Sequence, residues 1–402
     1  MDPMAAVKRA LPNDRLREFA PMLDWVVQPT LPDVDAPLGP PPLTAEDLGI
    51  KVPVSDRAIP DIDWEERRRV EIAGLIFSDT IGVAHGINLW THISGTPTVV
   101  DFAKLQAANF PLHRPMASIK LTDVSVEAAA QQVAHALGLE SVVRENRYLL
   151  WQPPAAQIAA TLPTELAVDD LISAEQAGEL AMALETVSGG PPGRWRVGNG
   201  VVQRNAEQIR DHEWFLAVRL LESWRRTLGL PSRVPTYNPE NLDARLPNVG
   251  EFIGSQHVLQ QVAPQERPVG QLLSSVSAEA GVDCWIDWPN TMSQGMGPAT
   301  EETVVTFRRP LYHVLREICE RYDLVCCLLD RRSIWLTSPR GYRTQPQWFV
   351  VPVKDRTPEE IELSLIGLSP LSEDGVQRIR VVMVPGEQVA WVYCCRPRIE
   401  FP

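Results

Sequence analysis

The side chains best suited to nucleophilic or metal chemistry in this 402-residue chain are six cysteines and seven histidines, and neither set is spaced for it. A zinc site needs four ligands that converge, and no CxxC, HExxH or spaced Cys/His quartet occurs. His85 and His92 are too far apart for one helical turn and flank an apolar stretch, while His135 and His313 read as boundary residues of helices. Cys284, Cys319, Cys326, Cys327, Cys394 and Cys395 include two adjacent pairs within apolar runs. Neighbours on a strand point to opposite faces, so the pairs read as small buried hydrophobes, not as disulfides. No metal or cofactor is expected.

Other motifs are weaker. Asp79-Thr80-Ile81-Gly82 has the letters of an aspartic-protease motif, but it sits in a helical pattern and has no second copy. There is no GxSxG and no P-loop, and Gly198-Asn199-Gly200 lacks a third glycine and reads as a hairpin turn. Gly190-Pro191-Pro192-Gly193 fits the GXXG letters of RNA-binding KH modules, yet its prolines remove backbone donors. A net charge of −13 argues against a broad nucleic-acid surface, and no apolar run approaches the roughly 20 residues of a membrane helix. A KH-like reading would require a basic face around Arg194, Arg196 and Arg204.

The elements that would position any site follow a repeat. Thr303–Ser338 reads as strand, helix, strand, turn, strand, with Leu311, Val314, Leu315, Ile318 and Cys319 as the helix stripe. Ser118–Gln152 matches it at a constant offset of 324 − 139 = 185: Ile119 meets Val304, Val126 meets Leu311, Val133 meets Ile318 and Leu149 meets Ile334. Cys319, Cys326 and Cys327 fall opposite Ala134, Ser141 and Val142, so the copies share no thiol.

Upstream, Val258–Val262 reads as a strand, Val269–Ala280 as a helix stopped by Gly281, and Val282–Ile286 as a strand. In the first copy Trp64–Val83 reads as a helix, Gly86 as its stop and Ile87–Trp90 as the following strand. Between the copies Glu165–Leu230 reads as strand, helix, hairpin and long helix, and Trp348–Tyr393 as the beginning of another such unit.

The fold class is α+β. The expected segments are a Pro-rich arm with a short helix at Asp14–Val27 (1–56), copy 1 (57–155), a βαββα module (156–230), a linker (231–250), copy 2 (251–340) and a partial second module (341–402). The N-terminus shows no signal peptide.

Val258–Ser338 resembles the short N-terminal domain shared by secretins and TonB-dependent transducers. The matching positions are Val304, Pro310, Leu311, Leu315, Ile318, Leu324, Asp330, Ile334 and Leu336. The middle unit is similar to the small modules that follow this domain in secretins, and to domain pairs in large bacterial envelope proteins. The resemblance implies a non-enzymatic interaction module of the cell envelope or periplasm. The absence of a signal peptide and of a following outer-membrane barrel departs from the pattern and leaves two alternatives, the cytoplasm or a chain that is not the complete precursor.

Small open sheets present unpaired edges, so protein partners, including a second copy, are expected at Val258–Val262 and at Ile119–Thr122, with Ile119 and Leu121 on the latter. Trp288 and Trp348, near strand ends, are the aromatic candidates for a partner surface. The rival from another class is an enzyme of unfamiliar type with a site between the copies.

Overall fold

Six backbone sites outside the usual right-handed region show how far the repeat extends. In the computed structural model, Asp123 (φ 51°) and Arg308 (φ 54°) are 308 − 123 = 185 positions apart and occupy the same turn before a helix. Gly138 (φ 74°) and Asp323 (φ 49°) sit 185 apart just past the ends of those helices, and Gly95 (φ 63°) and Gly281 (φ 68°) sit 186 apart past the preceding ones. A left-handed aspartate or arginine is uncommon, so its recurrence marks a duplicated backbone. The structure describes residues 63–399 except 109, 155–162, 206, 235–242, 261–266, 303, 305, 307, 354–355, 369–378 and 387. The Pro-rich arm and the Asp14–Val27 helix lie outside these residues.

Copy 1 begins with α1 (Trp64–Arg69), capped by Asp63, then β1 (Glu71–Ile72), β2 (Leu75–Phe77), α2 (Val83–Ser94), β3 (Thr98–Val100) and α3 (Phe102–Ala107). It continues with β4 (Ile119–Leu121), β5 (Val124–Ser125), α4 (Val126–Ala136), β6 (Glu140–Arg144) and β7 (Tyr148–Gln152). Short ladders join β1 to β5 and β2 to β4, and a mixed sheet has the order β3-β7-β6. Helices α2 and α4 present Val83, Ile87 and Trp90, and Val126, Ala129, Ala130 and Val133, to one core with Leu75, Phe77, Leu149 and Trp151.

This corrects the reading of residues 64–90. Leu75 and Phe77 are buried while Ile76 is 69% exposed, the two-residue period of a strand. The stretch read as the strand Ile87–Trp90 is the middle of α2, whose buried positions Val83, Ile87, Trp90, Thr91 and Ser94 follow helical spacing. Gly86 is inside the helix, where its missing side chain admits Met116, and Gly95 is the stop.

The module that follows contains β8 (Glu165–Ala167), α5 (Ala177–Ser188), β9 (Arg196–Gly198), β10 (Val201–Gln203) and α6 (Asp211–Thr227). Copy 2 contains β11 (Arg267–Pro268), α7 (Val269–Glu279), β12 (Asp283–Ile286), α8 (Trp288–Met292), β13 (Glu301–Glu302), α9 (Leu311–Tyr322), β14 (Val325–Asp330) and β15 (Ser333–Thr337). After α10 (Pro339–Arg343), the last module has β16 (Gln347–Pro352), α11 (Pro358–Ser364), β17 (Arg380–Met383) and β18 (Val389–Cys394). The copy-2 sheet order, β12-β15-β14, repeats that of copy 1, and β16-β18-β17 repeats β8-β10-β9. The described residues therefore follow a two-unit pattern used twice.

The halves interlock at both levels. Helix α2 lies on α7, and Asn88 Nδ2 donates to Ser274 Oγ and to the Cys284 carbonyl, each at 2.9 Å. Because 274 − 88 = 186, residues at equivalent positions of the two copies meet there. Trp285, Trp335, Val325, Cys327 and Leu329, on the outer face of the copy-2 sheet, pack into the core of copy 1. Phe102 meets Trp285 edge-on at 5.3 Å between ring centroids.

In the modules, α6 lies across β16 and β18, and Trp224 meets Trp391 edge-on at 6.4 Å. One face of β16 thus joins the first module's core through Trp348 and Val350, while the other packs on α11 through Phe349 and Val351. Residues expected to be pure linker also dock: Arg245 bridges to Val350 in parallel, and Val350 N–H donates to the Ala244 carbonyl at 2.7 Å.

Candidate functional site

An open sheet edge is a row of unmet donors and acceptors, and the two copies handle it differently. In copy 2 the outer edge of β14 is closed by the chain itself. Leu328 N–H donates to the Pro397 carbonyl and Ile399 N–H donates to the Cys326 carbonyl, both at 2.9 Å, with Cys327 bridged antiparallel to Arg398. The tail is held there by side chains. Arg398 stacks over the Tyr342 ring at 4.3 Å, Tyr342 Oη donates to the Arg396 carbonyl at 2.9 Å, and buried Arg396 donates to the Leu329 carbonyl at 3.0 Å.

In copy 1 the equivalent strand is β6. Its register on β7 matches that of β14 on β15: Ser141↔Trp151, Val142↔Leu150 and Val143↔Leu149 against Cys326↔Leu336, Cys327↔Trp335 and Leu328↔Ile334. By the same alternation the backbone groups of Ser141 and Val143 point away from β7, as those of Cys326 and Leu328 point away from β15. Among the described residues β6 pairs with β7 alone. Glu140 and Arg144 are exposed, and the three residues between them are half-buried.

Beside this edge runs an open groove of about 720 Å³ lined by Ile119, Ala128, Gln131, His135, Leu139 and Ser141, among others. It lies between β4, α4 and β6, so two strand edges flank one helix. The corresponding face of copy 2 is spanned by charges: Arg309 donates to Glu317 at 2.7 Å, and Arg321 bridges Glu317 and Glu302. Gln132 stands where copy 2 has Glu317 (317 − 132 = 185), which leaves the copy-1 groove without that bridge.

The sequence-derived candidates fall unevenly around these features. Ile119 lines the groove, and Leu121, on the same strand, is buried against Leu75. Val258 is 41% exposed and bridges to Pro310, beside Leu259 N–H donating to the Arg309 carbonyl at 2.9 Å and Arg308 N–H donating to the Leu259 carbonyl at 2.8 Å, while Val262 lies outside the described residues. Trp288 and Trp348 are 1% and 6% exposed, each seated in a core, so neither presents a surface. Around the GPPG turn, Arg194 is paired with Glu213 and Arg204 with Asp211, so the basic face that nucleic acid would need is largely neutralised.

The cleft between the copies is the place an enzyme reading requires. It encloses about 410 Å³ and is lined by Asp101, Phe102 and Tyr148 from copy 1, by Trp285, Asp287, Asn290 and Trp335 from copy 2, and by Gln345. Burial raises the Asp287 carboxyl above the usual range, although it accepts hydrogen bonds from Thr337 at 2.7 Å and Asn290 at 2.9 Å. Burial and the nearby Glu145 and Asp287 charges raise the Tyr148 phenol. Among the described residues no hydrogen bond links Asp101, Tyr148 and Asp287 to one another, and no histidine or cysteine lines the cleft. Titratable groups from both copies do converge, but without a nucleophile held by a base.

At the rim of the same junction His113 of copy 1 sits between two carboxylates of copy 2. Its Nδ1 is 2.6 Å from Asp283 Oδ2 and its Nε2 is 3.2 Å from Asp330 Oδ2. Burial alone would depress the imidazole, but the two carboxylates outweigh it and hold the pKa up at about 9. The imidazolium is thus a charged clamp between the copies. Among the described residues no group of three His, Cys, Asp or Glu could hold a metal, and no helix is long and apolar enough to cross a membrane. All six thiols are free and buried, and burial pushes each of them up, Cys284 to about 12 and Cys395 to about 11.

No known protein family, no curated protein and no solved structure matches the chain. Sequence reasoning had not singled out β6 or His113. The sign available for β6 was its charge-bracketed run Glu140-Ser-Val-Val-Arg144, which stands opposite an all-apolar stretch in copy 2.

Proposed function

We propose that this chain is a non-enzymatic interaction and assembly module, built like the N-terminal domains of secretins and acting in the cell envelope, that binds an extended polypeptide by strand addition at β6. One observation carries the reading: two equivalent sheet edges exist, and the chain closes β14 with its own residues Pro397–Ile399 while β6 keeps its outward groups unpaired among the described residues. The tail on β14 supplies the template for how a ligand strand would run on β6, antiparallel and bonded through Ser141 and Val143. Strand addition takes affinity from the main chain and specificity from alternate side chains, a mode suited to assembly. The interlocked copies and modules would serve as a rigid support for that edge. The resemblance of Val258–Ser338 to the secretin-type domain in its apolar pattern supports the same reading.

The test is site-specific photo-crosslinking in the native cell. A photoreactive residue at Arg144 is expected to give discrete protein adducts, and the same residue at Leu363, exposed on the last module, is expected to give none. Absence of any adduct from Arg144, with the variant expressed at the normal level, would refute edge binding.

A further inference from the structure

We infer that the strand received by β6 is β6 of a second copy of this chain. The inference rests on the edge-binding reading above and names its partner.

The argument is the self-complementarity of five residues. In an antiparallel pair related by a two-fold axis at Val142, Glu140 stands opposite Arg144 of the other molecule and Arg144 opposite its Glu140. Ser141 stands opposite Val143 in both directions. Those two residues carry the outward backbone groups, so each Ser141/Val143 pair falls on a hydrogen-bonded position and can exchange two N–H···O bonds. Val142 meets its own equivalent at the axis. Glu140, Val142 and Arg144 share the face turned away from the copy-1 core, because Val143 packs toward that core and Ser141 Oγ accepts from buried Trp151 Nε1 at 3.1 Å.

Register is specified as well as possible for so short a strand. A shift of one residue would turn outward groups against inward ones. A shift of two leaves one hydrogen-bonded pair in place of two and sets the charged residues against Val142 or beyond the end of the strand, so both opposite-charge pairs are lost. The copy-2 edge, bearing Cys326-Cys327-Leu328 and already bonded to the tail, offers no such pairing. The product is one sheet of six strands across two molecules, an isologous contact that closes on itself.

The experiment is a charge-exchange set on the full chain, read by sedimentation equilibrium over micromolar to hundred-micromolar protein. The wild type is expected to form a concentration-dependent dimer. Glu140→Arg alone sets Arg against Arg, and Arg144→Glu alone sets Glu against Glu, so each should weaken the dimer about tenfold or more, since opposed like charges destabilise a strand pair. The double variant Glu140→Arg/Arg144→Glu should restore it. An equimolar mixture of the two single variants should form a heterodimer that neither forms alone, which only this antiparallel register explains. Circular dichroism of each variant checks that the fold is kept. A monomeric wild type, single variants that dimerise like the wild type, or a mixture that stays monomeric overturns the inference. Edge binding itself would still stand if Arg144 photo-adducts in cells had a mass other than twice that of the chain, and would fall with the inference if there were none.

Discussion

Replacing His113 with leucine is expected to cost about 3 kcal/mol of stability at pH 6 and far less at pH 10. The imidazolium is mostly buried and hydrogen-bonded to Asp283 and Asp330, so removing it leaves two half-buried carboxylates facing a hydrocarbon side chain. The pH dependence follows from its pKa being raised from 6.5 to about 9 in the folded protein. A raised histidine contributes fully below its unfolded value, and the contribution fades as pH rises through the folded one, so the window runs from about 6.5 to about 9. A displacement of that size is worth on the order of 3 kcal/mol. Above that window the thiols add a second slope, because the unfolded chain ionises cysteines that the fold keeps protonated. Urea unfolding of wild type and His113→Leu at pH 6, 8 and 10 separates the two. Equal slopes for both proteins between pH 6 and 8 would show that His113 does not clamp the copies.

Deleting residues 397–402 should cost a similar or larger amount, about 3–5 kcal/mol, and should make the chain prone to association. The loss comprises the buried side chain of Ile399, two backbone hydrogen bonds to β14 and the Arg398–Tyr342 stack. The exposed edge would then be Cys326-Cys327-Leu328, apolar and uncharged, the kind of edge that pairs indiscriminately. Urea unfolding would measure the first effect and light scattering the second. A truncated chain with wild-type stability and scattering would mean that the tail is dispensable as an edge cover.

Most of the second half was legible because its helices carry long apolar stripes and its strands end in clear turns. Leu311, Val314, Leu315 and Ile318 are all fully buried, as their spacing implied, and the 185-residue offset carried that reading into Ser118–Gln152. The second βαββ unit after Trp348 also appears where expected, with strands at Arg380–Met383 and Val389–Cys394. Residues 64–94 were misread because apolar content there is nearly continuous. A short strand pair next to an apolar helix produces mixed periods, and Gly86 looks like a stop until Met116 is seen packed against it. The candidate edge was harder. Ile119 was found from its strand, but whether an edge is open depends on residues far along the chain, and the segment that distinguishes β14 from β6 is Pro397–Ile399. Local pattern holds no trace of that. Trp288 and Trp348 erred in the same way: position near a strand end says little about what packs over it.

The buried thiols have a practical meaning as a chemical clock. No cysteine precedes Cys284, so all six belong to copy 2, its trailing module and the start of the tail. A thiol reagent added to the folded protein can modify Cys284, Cys319 and Cys326 only as fast as the copy-2 core opens, Cys394 only as the last module opens, and Cys327 and Cys395 only as their seats in the core shared with copy 1 are exposed. Mapping which thiol is labelled first therefore tells the modes of opening apart, with separation of the copies read at Cys327 and Cys395.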